Sequence, residues 1–388
     1  MSDLGSSEVQ TDIVEHVRKI TSAFPQAYWL EKDDAAEYPW DFVHAFAEAG
    51  YMGTMISEEY GGLGLGVTEA ALLLREVAAS GAGISGAAAI HFYMFPPAPI
   101  IHHGSEEMKR TFLPQMAEGK TLVAFGVTEP DAGTDTSRTS TMAVRKGGHW
   151  VINGKKTWTT NAQNASHIVL LTRTAPRTDD RPLAGMTLFF VPLDRKHCTI
   201  RVIHKLGRAA VDSNEVFIDD LEADDVDIIG EEGKGFYQLI AGLNPERIVI
   251  AMEAIGMGIA ALRMASQYAK DRVVFDHPIG SYQAVAHPLA DSWARLQAAE
   301  LMALKAADLY DRGLQCGAEA NAAKYLAADS GFKACDAALQ THGGFGYAKE
   351  YHIERLWRES RLYRLAPISQ EMVLNYLSEH VLGLPKSY

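Results

Sequence analysis

Apolar residues recur with a helical period along the first third of the chain. One face of the first predicted helix carries Val9, Ile13, Val14, Val17 and Ile20. Residues 40–49 and 68–79 repeat this spacing, which is typical of helices that bury one side. Residues 1–120 are therefore predicted to form an α-helical domain.

The period changes to two between residues 121 and 230. Short apolar or alternating runs between polar turns predict strands over 122–127, 168–172, 186–191, 199–203 and 215–218. Glycine turns at Lys146-Gly147-Gly148 and Asn153-Gly154 are predicted to separate two further strands from their neighbours. Short strands at this spacing form a small antiparallel barrel or a sandwich.

Helical periodicity returns after Gly233-Lys234-Gly235 and persists through residues 231–388. The predicted helices cover 248–268, 286–309, 318–338 and 369–381. The fold class expected from this order is mainly α, with a central β-barrel domain between two helical domains.

Composition excludes several classes of protein. A length of 388 residues suits two or three domains, and a net charge of −13 argues against a nucleic-acid surface, which needs clustered Lys and Arg. Cys198, Cys316 and Cys335 are few and widely spaced, which indicates a reducing compartment without a disulfide framework or a metal site. An acidic N-terminus without an apolar core, and the lack of about 18 consecutive apolar residues, predict a cytoplasmic protein with no signal peptide and no membrane partner.

The residues with side chains suited to binding a cofactor are concentrated between Leu122 and Asn161. An apolar strand ends at Pro130, and the turn Asp131–Asp135 then offers free amides and short hydroxyl side chains. Trp158 follows among threonines. A planar, hydrogen-bonding cofactor needs such an aromatic face with amides and hydroxyls nearby. Taken alone, an ordinary antiparallel sheet with polar turns also accounts for the pattern.

As a string, this segment resembles the flavin-binding strands of the acyl-CoA dehydrogenases. That family reads VTEPxAGSD and then INGxKxWITN; this chain reads VTEPDAGTD and INGKKTWTTN, with Thr134 for the serine and Thr159 for the isoleucine. The family also has the domain order helices, barrel, helices, so the resemblance covers essentially the whole chain. It implies FAD as the cofactor. The implied flavin contacts here are Phe125, Val127, Thr128, Gly133, Thr134, Trp158 and Thr160.

Two later strings are similar to family motifs for the nucleotide half of the flavin. RVVFD followed by GSYQ resembles RxxFG…IxxxQ, which reaches the flavin of a neighbouring subunit, although Asp276 replaces the usual glycine. QTHGGFG resembles the QxxGGxG loop, whose glycines let backbone approach a pyrophosphate. The implied contacts are Arg272, Phe275, Gln283, Gln340, Gly343 and Gly344. The resemblance also implies a homotetramer or homodimer.

The catalytic base of the family is a carboxylate, and most members place it in a C-terminal segment like IYEGTSQ. Here that position falls on Pro367, which cannot be a base. Isovaleryl- and long-chain-type members instead read like LxxERLLIA, and LNPERIVIA in this chain supplies Glu246. The competing interpretation is a helix start, with Asn244 as N-cap and Glu246 complementing the helix dipole. Apolar neighbours on the same face, and the missing C-terminal carboxylate, favour Glu246 as the base.

The resemblance implies further contacts around the substrate. Thr134, Asn244, Arg247 and Ala366 are expected to contact the acyl-CoA, and Ser369 the flavin. A backbone amide at position 367 would normally donate to the thioester oxygen, but proline has no N–H. Either the amide of Ala366 or Ile368 takes over, or the register differs by one residue, or the chemistry differs.

Side-chain size gives an expectation for the acyl chain. Ala366 replaces a common tyrosine and opens the pocket beside the thioester. The run His91–Pro97 is predicted to be helix core that ends at the prolines, and its bulky residues 92–95 shorten the far end of the pocket. A short or medium acyl chain, straight or branched, is expected.

Removing hydrogens from Cα and Cβ of an acyl thioester requires a base, a hydride acceptor and donors to the thioester oxygen. The resemblance implies such an FAD-dependent reaction, with a trans-2-enoyl-CoA product and an electron-transfer flavoprotein as partner. The alternatives are a family member with altered chemistry, such as an acyl-CoA desulfinase or a nitroalkane-type oxidase, and a non-catalytic flavin-binding homologue.

Overall fold

The structure is a computed structural model and describes residues 7–387. The first six residues, which carry part of the prediction that no signal peptide is present, lie outside that range. The N-terminal region is helical, as predicted. Its helices are α1 (Glu8–Thr21), α2 (Gln26–Ala35), α3 (Trp40–Glu48), α4 (Val67–Val77), α5 (Gly83–Met94), α6 (Ala98–His103) and α7 (Glu106–Ala117).

The middle region contains an eight-stranded, mainly antiparallel sheet of order β6-β7-β3-β2-β4-β5-β8, with β1 parallel to β4. Its strands are β1 (Val123–Gly126), β2 (Met142–Lys146), β3 (His149–Thr160), β4 (His167–Arg173), β5 (Met186–Pro192), β6 (Cys198–Val202), β7 (Ser213–Ala223) and β8 (Ile228–Ile229). Gly147 and Gly148 connect β2 to β3 with φ of 60° and 98°, the left-handed region that a two-residue hairpin of type I′ requires. This turn was predicted correctly.

The second predicted turn is wrong. Asn153 and Gly154 lie inside β3, where the register with β7 shifts between Ile152 and Gly154. The Asn153 amide nitrogen donates to the Asp220 carboxylate at 3.0 Å, and the Asp220 amide donates back to the Asn153 side chain at 2.9 Å. Pairing with β7 therefore keeps the chain extended, and the Asn-Gly dipeptide forms a bulge rather than a turn.

The C-terminal region is a helical bundle built around α9. Two short strands, β9 (Val273–Val274) and β10 (His277–Pro278), interrupt it. Its helices are α8 (Gly235–Ala241), α9 (Leu243–Asp271), α10 (Gln283–Asp311), α11 (Gly317–His342), α12 (Ile353–Ser360) and α13 (Gln370–Tyr376). α9 packs on α4, α5, α10 and α11 and so joins both helical regions in one core. A Cβ at Gly256 would lie 2.2 Å from the Arg75 carbonyl oxygen, so glycine permits the close approach of α9 to α4.

Two helical stretches are long and apolar enough to cross a membrane by length and composition alone. They are Val67–His103 and Gly235–Asp271. In each, 78% of the most apolar window is buried inside the protein. Their apolar character is therefore accounted for by packing in the core of the bundle.

Candidate active site

The two segments predicted to bind the flavin ring lie side by side. The Thr157 amide donates to the Thr128 carbonyl at 2.9 Å, and Lys156 Nζ donates to the Val127 carbonyl at 3.2 Å. The end of β1 is thereby held against the end of β3. Trp158 adopts φ of 59° and leaves 57% of its surface exposed, a large aromatic face open to a ligand.

A buried ion pair fixes this junction. Lys156 Nζ is 2.8 Å from Glu129 Oε1, and neither side chain is more than 3% exposed. The other contacts of the Glu129 carboxylate are the amides and hydroxyls of Ser140 and Thr141, at 2.6–3.0 Å. Although burial opposes it, Lys156 together with these donors lowers the pKa of Glu129 to about 2. Burial lowers the pKa of Lys156 more than the ion pair with Glu129 raises it, so this pKa falls to about 8.

This pair predicts an acid-sensitive contribution to stability. The folded-state pKa of Glu129 lies below its ordinary value, so the carboxylate stabilises the fold above about pH 4.5, and this stabilisation is lost as the pH falls toward about 2. The difference in unfolding free energy between the wild type and Glu129→Gln should therefore shrink over that window. Chemical denaturation at a series of pH values measures it, and a difference that stays constant from pH 6 to pH 2.5 would contradict the assignment.

The loop at residues 133–134 and the end of β3 carry polar groups that are available to a ligand. Gly133 and Thr134 are exposed, and a Cβ built on Gly133 meets nothing within 4 Å. Thr160 Oγ1 accepts from Arg208 at 3.2 Å. The buried Thr159 hydroxyl and both polar atoms of the Asn161 side chain have no hydrogen-bond partner in residues 7–387. Unpaired buried polar groups are costly, and they are frequent where a ligand completes the site.

Three of the six residues predicted to bind the nucleotide part of the flavin lie together. Arg272, Gly343 and Gly344 line one surface cavity of about 440 Å³, together with Phe345. A Cβ on either glycine would meet nothing within 4 Å, so the loop leaves room for a ligand. The other two polar residues of the prediction, Gln283 and Gln340, are exposed and do not line this cavity.

Asp276 occupies a left-handed turn position. Strands β9 and β10 pair so that Phe275 and Asp276 form the two-residue loop, with φ of 52° and 64°. Aspartate tolerates this conformation better than most residues, so the hairpin keeps its turn without glycine. Phe275, at the tip of this hairpin, is 86% exposed.

Glu246 is buried in the first turns of α9 and faces the N-terminal region. Its Oε2 lies 2.7 Å from His91 Nε2 on α5, and the residue is 6% exposed. The competing interpretation as a solvated helix start is therefore wrong. Asn244 is not the N-cap, because α9 begins at Leu243 after Gly242. Its side chain instead accepts a hydrogen bond from Arg247 at 2.8 Å.

Two cations lie near the loop that precedes α13. Burial lowers the pKa of Arg247, whose Nε has no hydrogen-bond partner within the described range. Lys324 on α11 is fully buried, and its Nζ donates to the Ile368 carbonyl at 2.5 Å. Burial also lowers the pKa of Lys324, to about 8. Ala366 is half-buried in this loop, and Ser369 caps α13 through the Met372 amide.

Ring contacts connect Glu246 to the strand predicted to hold the flavin. Phe125 on β1 lies 4.8 Å from Phe95 between ring centroids, and Phe95 lies 6.0 Å from His91. His91 then bonds Glu246. A series of contacts between aromatic rings thus connects the Glu246 carboxylate to the strand region that carries Trp158.

His91, Glu253 and Lys324 are the site residues that sequence reasoning missed. His91 Nδ1 lies 2.8 Å from Glu253 Oε1, so one imidazole contacts two carboxylates of α9. The helix-core prediction for residues 91–97 holds for residues 91–94, because α5 ends at Met94 ahead of the two prolines. The available signal was the seven-residue spacing of Glu246 and Glu253, which puts both on one face of a helix.

Comparison with known protein families identifies the family of this chain. The acyl-CoA dehydrogenase N-terminal, middle and C-terminal domains match residues 7–120, 124–221 and 233–382. The chain belongs to the acyl-CoA dehydrogenase family. It is therefore an oxidoreductase and a flavoprotein, with FAD as its cofactor, and the non-catalytic alternative is set aside.

Individual relatives of this acyl-CoA dehydrogenase match over nearly their whole length. Acyl-CoA dehydrogenase fadE12 of Mycobacterium tuberculosis (strain CDC 1551 / Oshkosh) is 37% identical over 390 residues, covering 98% of each chain. The caffeyl-CoA reductase-Etf complex subunit CarC of Acetobacterium woodii is 30% identical over 369 residues, 94% of this chain and 91% of that one. The structure of butyryl-CoA dehydrogenase from Megasphaera elsdenii superposes with a TM-score of 0.93 at 28% identity, covering 98% and 100%.

FAD fits the residues present. Trp158 offers an open aromatic face for stacking, and the unpaired polar groups of Thr159 and Asn161 offer hydrogen bonds. The unobstructed glycines 343–344 let the backbone approach a ligand closely.

Trp158→Ala should weaken FAD binding by about 1 kcal/mol, since one aromatic face is lost, or about fivefold in dissociation constant. FAD titration of the apoprotein measures this, with Trp40→Ala on α3 as the control that keeps the wild-type affinity. Equal affinity of Trp158→Ala and wild type would remove the stacking assignment.

Proposed function

We propose that this acyl-CoA dehydrogenase oxidises an acyl-CoA to the trans-2-enoyl-CoA and passes the electrons to an electron-transfer flavoprotein. The observation that carries the proposal is the position of Glu246. Its carboxylate is buried, bonds His91 through Oε2, and leaves Oε1 without a hydrogen bond in the described structure. A single free carboxylate oxygen in a mostly apolar setting is what a general base for a carbon acid requires.

The chain itself supplies the proton transfer and the orientation. Glu246 Oε1 takes the α-proton of the substrate, and His91 holds Oε2, which fixes the rotamer of the carboxylate. When bound, FAD supplies the acceptor for the hydride from Cβ. Phe95 and the half-buried Phe92, whose rings lie 6.0 and 5.9 Å from His91, restrict water around the base.

The flavin contacts are proposed in two groups. Phe125, Val127, Thr128, Gly133, Thr134, Trp158, Thr160 and Ser369 hold the ring end. Arg272, Phe275, Gln283, Gln340, Gly343 and Gly344 hold the nucleotide end of a neighbouring subunit's flavin, in a homotetramer or homodimer. The side-by-side ends of β1 and β3 and the cavity at Arg272 support these two groups.

The thioester oxygen is proposed to bind the Ile368 amide. The Ala366 amide already donates to the Leu362 carbonyl at 3.0 Å, and Pro367 has no N–H. Among the described residues the Ile368 amide has no acceptor, while its carbonyl is held by Lys324. The substrate's oxygen would take up the free amide directly after Pro367.

The substrate is proposed to be a short or medium acyl-CoA, straight or branched. Ala366 leaves space beside the thioester, and Phe92 on α5 and Phe95 directly after α5 narrow the far end of the pocket. Asn244, Arg247 and Thr134 are proposed to contact the acyl-CoA; the partly unsatisfied guanidinium of Arg247 supports this. The partner proposal is supported by the name of the CarC relative, which is a subunit of an Etf complex.

Anaerobic mixing with a panel of straight and branched acyl-CoAs tests the proposal. Bleaching of the flavin absorbance, with an enoyl-CoA of the same carbon skeleton as product, is the expected result. An electron-transfer flavoprotein should then restore the oxidised spectrum. If no acyl-CoA bleaches the flavin while a sulfinylated acyl-CoA or a nitroalkane is turned over, the altered-chemistry alternative replaces the dehydrogenase.

A further inference from the structure

Arg208 is a buried arginine at the end of β3. It lies in the loop between β6 and β7 and is 8% exposed. β3 and β7 pair so that Thr160 lies opposite Ser213. Arg208 Nη2 donates to the hydroxyls of both residues, at 3.2 Å to Thr160 Oγ1 and at 2.8 Å to Ser213 Oγ. The guanidinium is therefore held against the strand end that is proposed to contact the flavin ring.

No acidic side chain compensates this charge at close range. Within residues 7–387, no carboxylate oxygen lies within 4.0 Å of the Arg208 guanidinium, and its buried Nε has no hydrogen-bond partner. The groups that interact with its charge from farther away are Asp212, Glu253, Glu359 and Tyr363. A buried charge without a close partner is costly, so a functional role has to be considered for this arginine.

Two other buried arginines show what a purely structural guanidinium looks like in this protein. Arg75 pairs with Glu76 and Glu300. Arg173 donates to backbone carbonyls from all three of its side-chain nitrogens. Arg208 instead meets two neutral hydroxyls, so its charge is not cancelled by an acceptor of the chain and acts on whatever binds at the end of β3.

We propose that Arg208 raises the reduction potential of the bound FAD, acting through the Thr160 hydroxyl. This inference rests on the proposed contact between Thr160 and the flavin ring. Arg208 is a positioning residue, because it acts through Thr160 and contacts no reacting atom.

The Thr160 hydroxyl can transmit the charge. A hydroxyl has one proton, and because Thr160 Oγ1 accepts its hydrogen bond from Arg208, that proton is available to a ligand acceptor. Among the described residues the Thr160 hydroxyl donates to no other group. A donor that itself accepts a hydrogen bond from a cation is polarised and binds its own acceptor more strongly.

The proposed reaction makes this charge useful. The hydride that leaves Cβ of the substrate carries one negative charge to the flavin ring. A buried cation directly behind a hydrogen-bond donor to that ring stabilises the added charge, because the surrounding dielectric constant is low. Reduced FAD is thereby bound more tightly relative to oxidised FAD, which raises the reduction potential.

The first test is the midpoint potential of the bound FAD in Arg208→Met, measured on the holoenzyme by anaerobic dithionite titration against a reference dye. We expect reduced FAD to lose about tenfold in affinity relative to oxidised FAD, which lowers the potential by about 30 mV for a two-electron couple. Arg208→Lys keeps the charge and should remain close to the wild-type potential. Arg201→Met removes an exposed charge from the same sheet and should not change the potential, since solvent and salt screen it.

The second test asks whether the effect passes through Thr160. Thr160→Val should lower the potential, and adding Arg208→Met to it should lower the potential by less than Arg208→Met does alone, because the two residues are coupled. Effects of the two substitutions that simply add would show that Arg208 does not act through Thr160 and would overturn the proposal.

Two further outcomes would also overturn it. One is a wild-type potential in Arg208→Met, and the other is an equal fall in Arg208→Met and Arg208→Lys; either would leave Arg208 with the task of holding the loop. Arg208→Gln, which also lacks the charge, decides the question if the methionine variant does not fold. The proposed function fails separately, if no acyl-CoA bleaches the wild-type flavin, because dithionite sets the potential without any acyl-CoA.

Discussion

Replacing Glu246 with glutamine is expected to slow flavin reduction by acyl-CoA by at least about a hundredfold, the usual share of a general base. Glutamine keeps the shape of the side chain and a hydrogen bond to His91, but it cannot accept the α-proton. Melting temperature and FAD content should change little, because the amide still fills the same buried space. Stopped-flow anaerobic reduction measures the effect.

A conservative variant separates chemistry from structure. Glu246→Asp keeps a carboxylate about one methylene farther from the substrate, so its rate should lie between those of the wild type and Glu246→Gln. Near wild-type reduction by the glutamine variant would show that the base lies elsewhere. The buried position of Glu246 would then have to be explained by its ion pair with His91 alone.

Local patterns predicted those elements that a few adjacent residues determine. The helical repeat that starts at Val9 forms α1, and two glycines at 147–148 form the hairpin between β2 and β3. The helix predicted to start at residue 369 is α13, which begins at Gln370 with Ser369 as its N-cap. In each case the deciding interactions lie within about four residues.

Predictions failed where a distant segment decided the local structure. The Asn153-Gly154 pair has turn chemistry, but its side chain bonds Asp220 across the sheet and the chain stays extended. Tertiary pairing overrode local preference at this position.

The candidate site was predictable only as separate motifs. Glu246 was found because a family pattern contains it, whereas its partner His91 is 155 residues away and belongs to no motif. A single histidine in an apolar helix is usually a structural core residue that makes its hydrogen bonds to nearby groups. Its position in the sequence therefore could not assign it a role in catalysis. Only the three-dimensional structure shows that His91 contacts Glu246.

The loop at Ile368 combines a free backbone donor next to Pro367 with a hydrogen bond that restrains the Ile368 carbonyl. The Ala366 amide is occupied, Pro367 has none, and Lys324 Nζ holds the Ile368 carbonyl at 2.5 Å. The Ile368 N–H belongs to the preceding peptide unit, which lies between the ring-restricted Pro367 and the anchored carbonyl, so the backbone is restrained on both sides of this donor. Donors that need no reorientation in the transition state are those that accelerate acyl chemistry most.

Ile368→Pro is therefore expected to lower the rate of flavin reduction by about a hundred- to a thousandfold, the usual cost of losing one oxyanion donor. Ile368→Ala is the matched control, since it removes the side chain and keeps the amide, and it should remain within about tenfold of the wild type. FAD content and melting temperature, measured for both variants, verify that the loop change is local. If the proline and alanine variants reduce at the same rate, the thioester oxygen takes its hydrogen bond from another group, and the assignment of Ile368 falls while that of Glu246 stands.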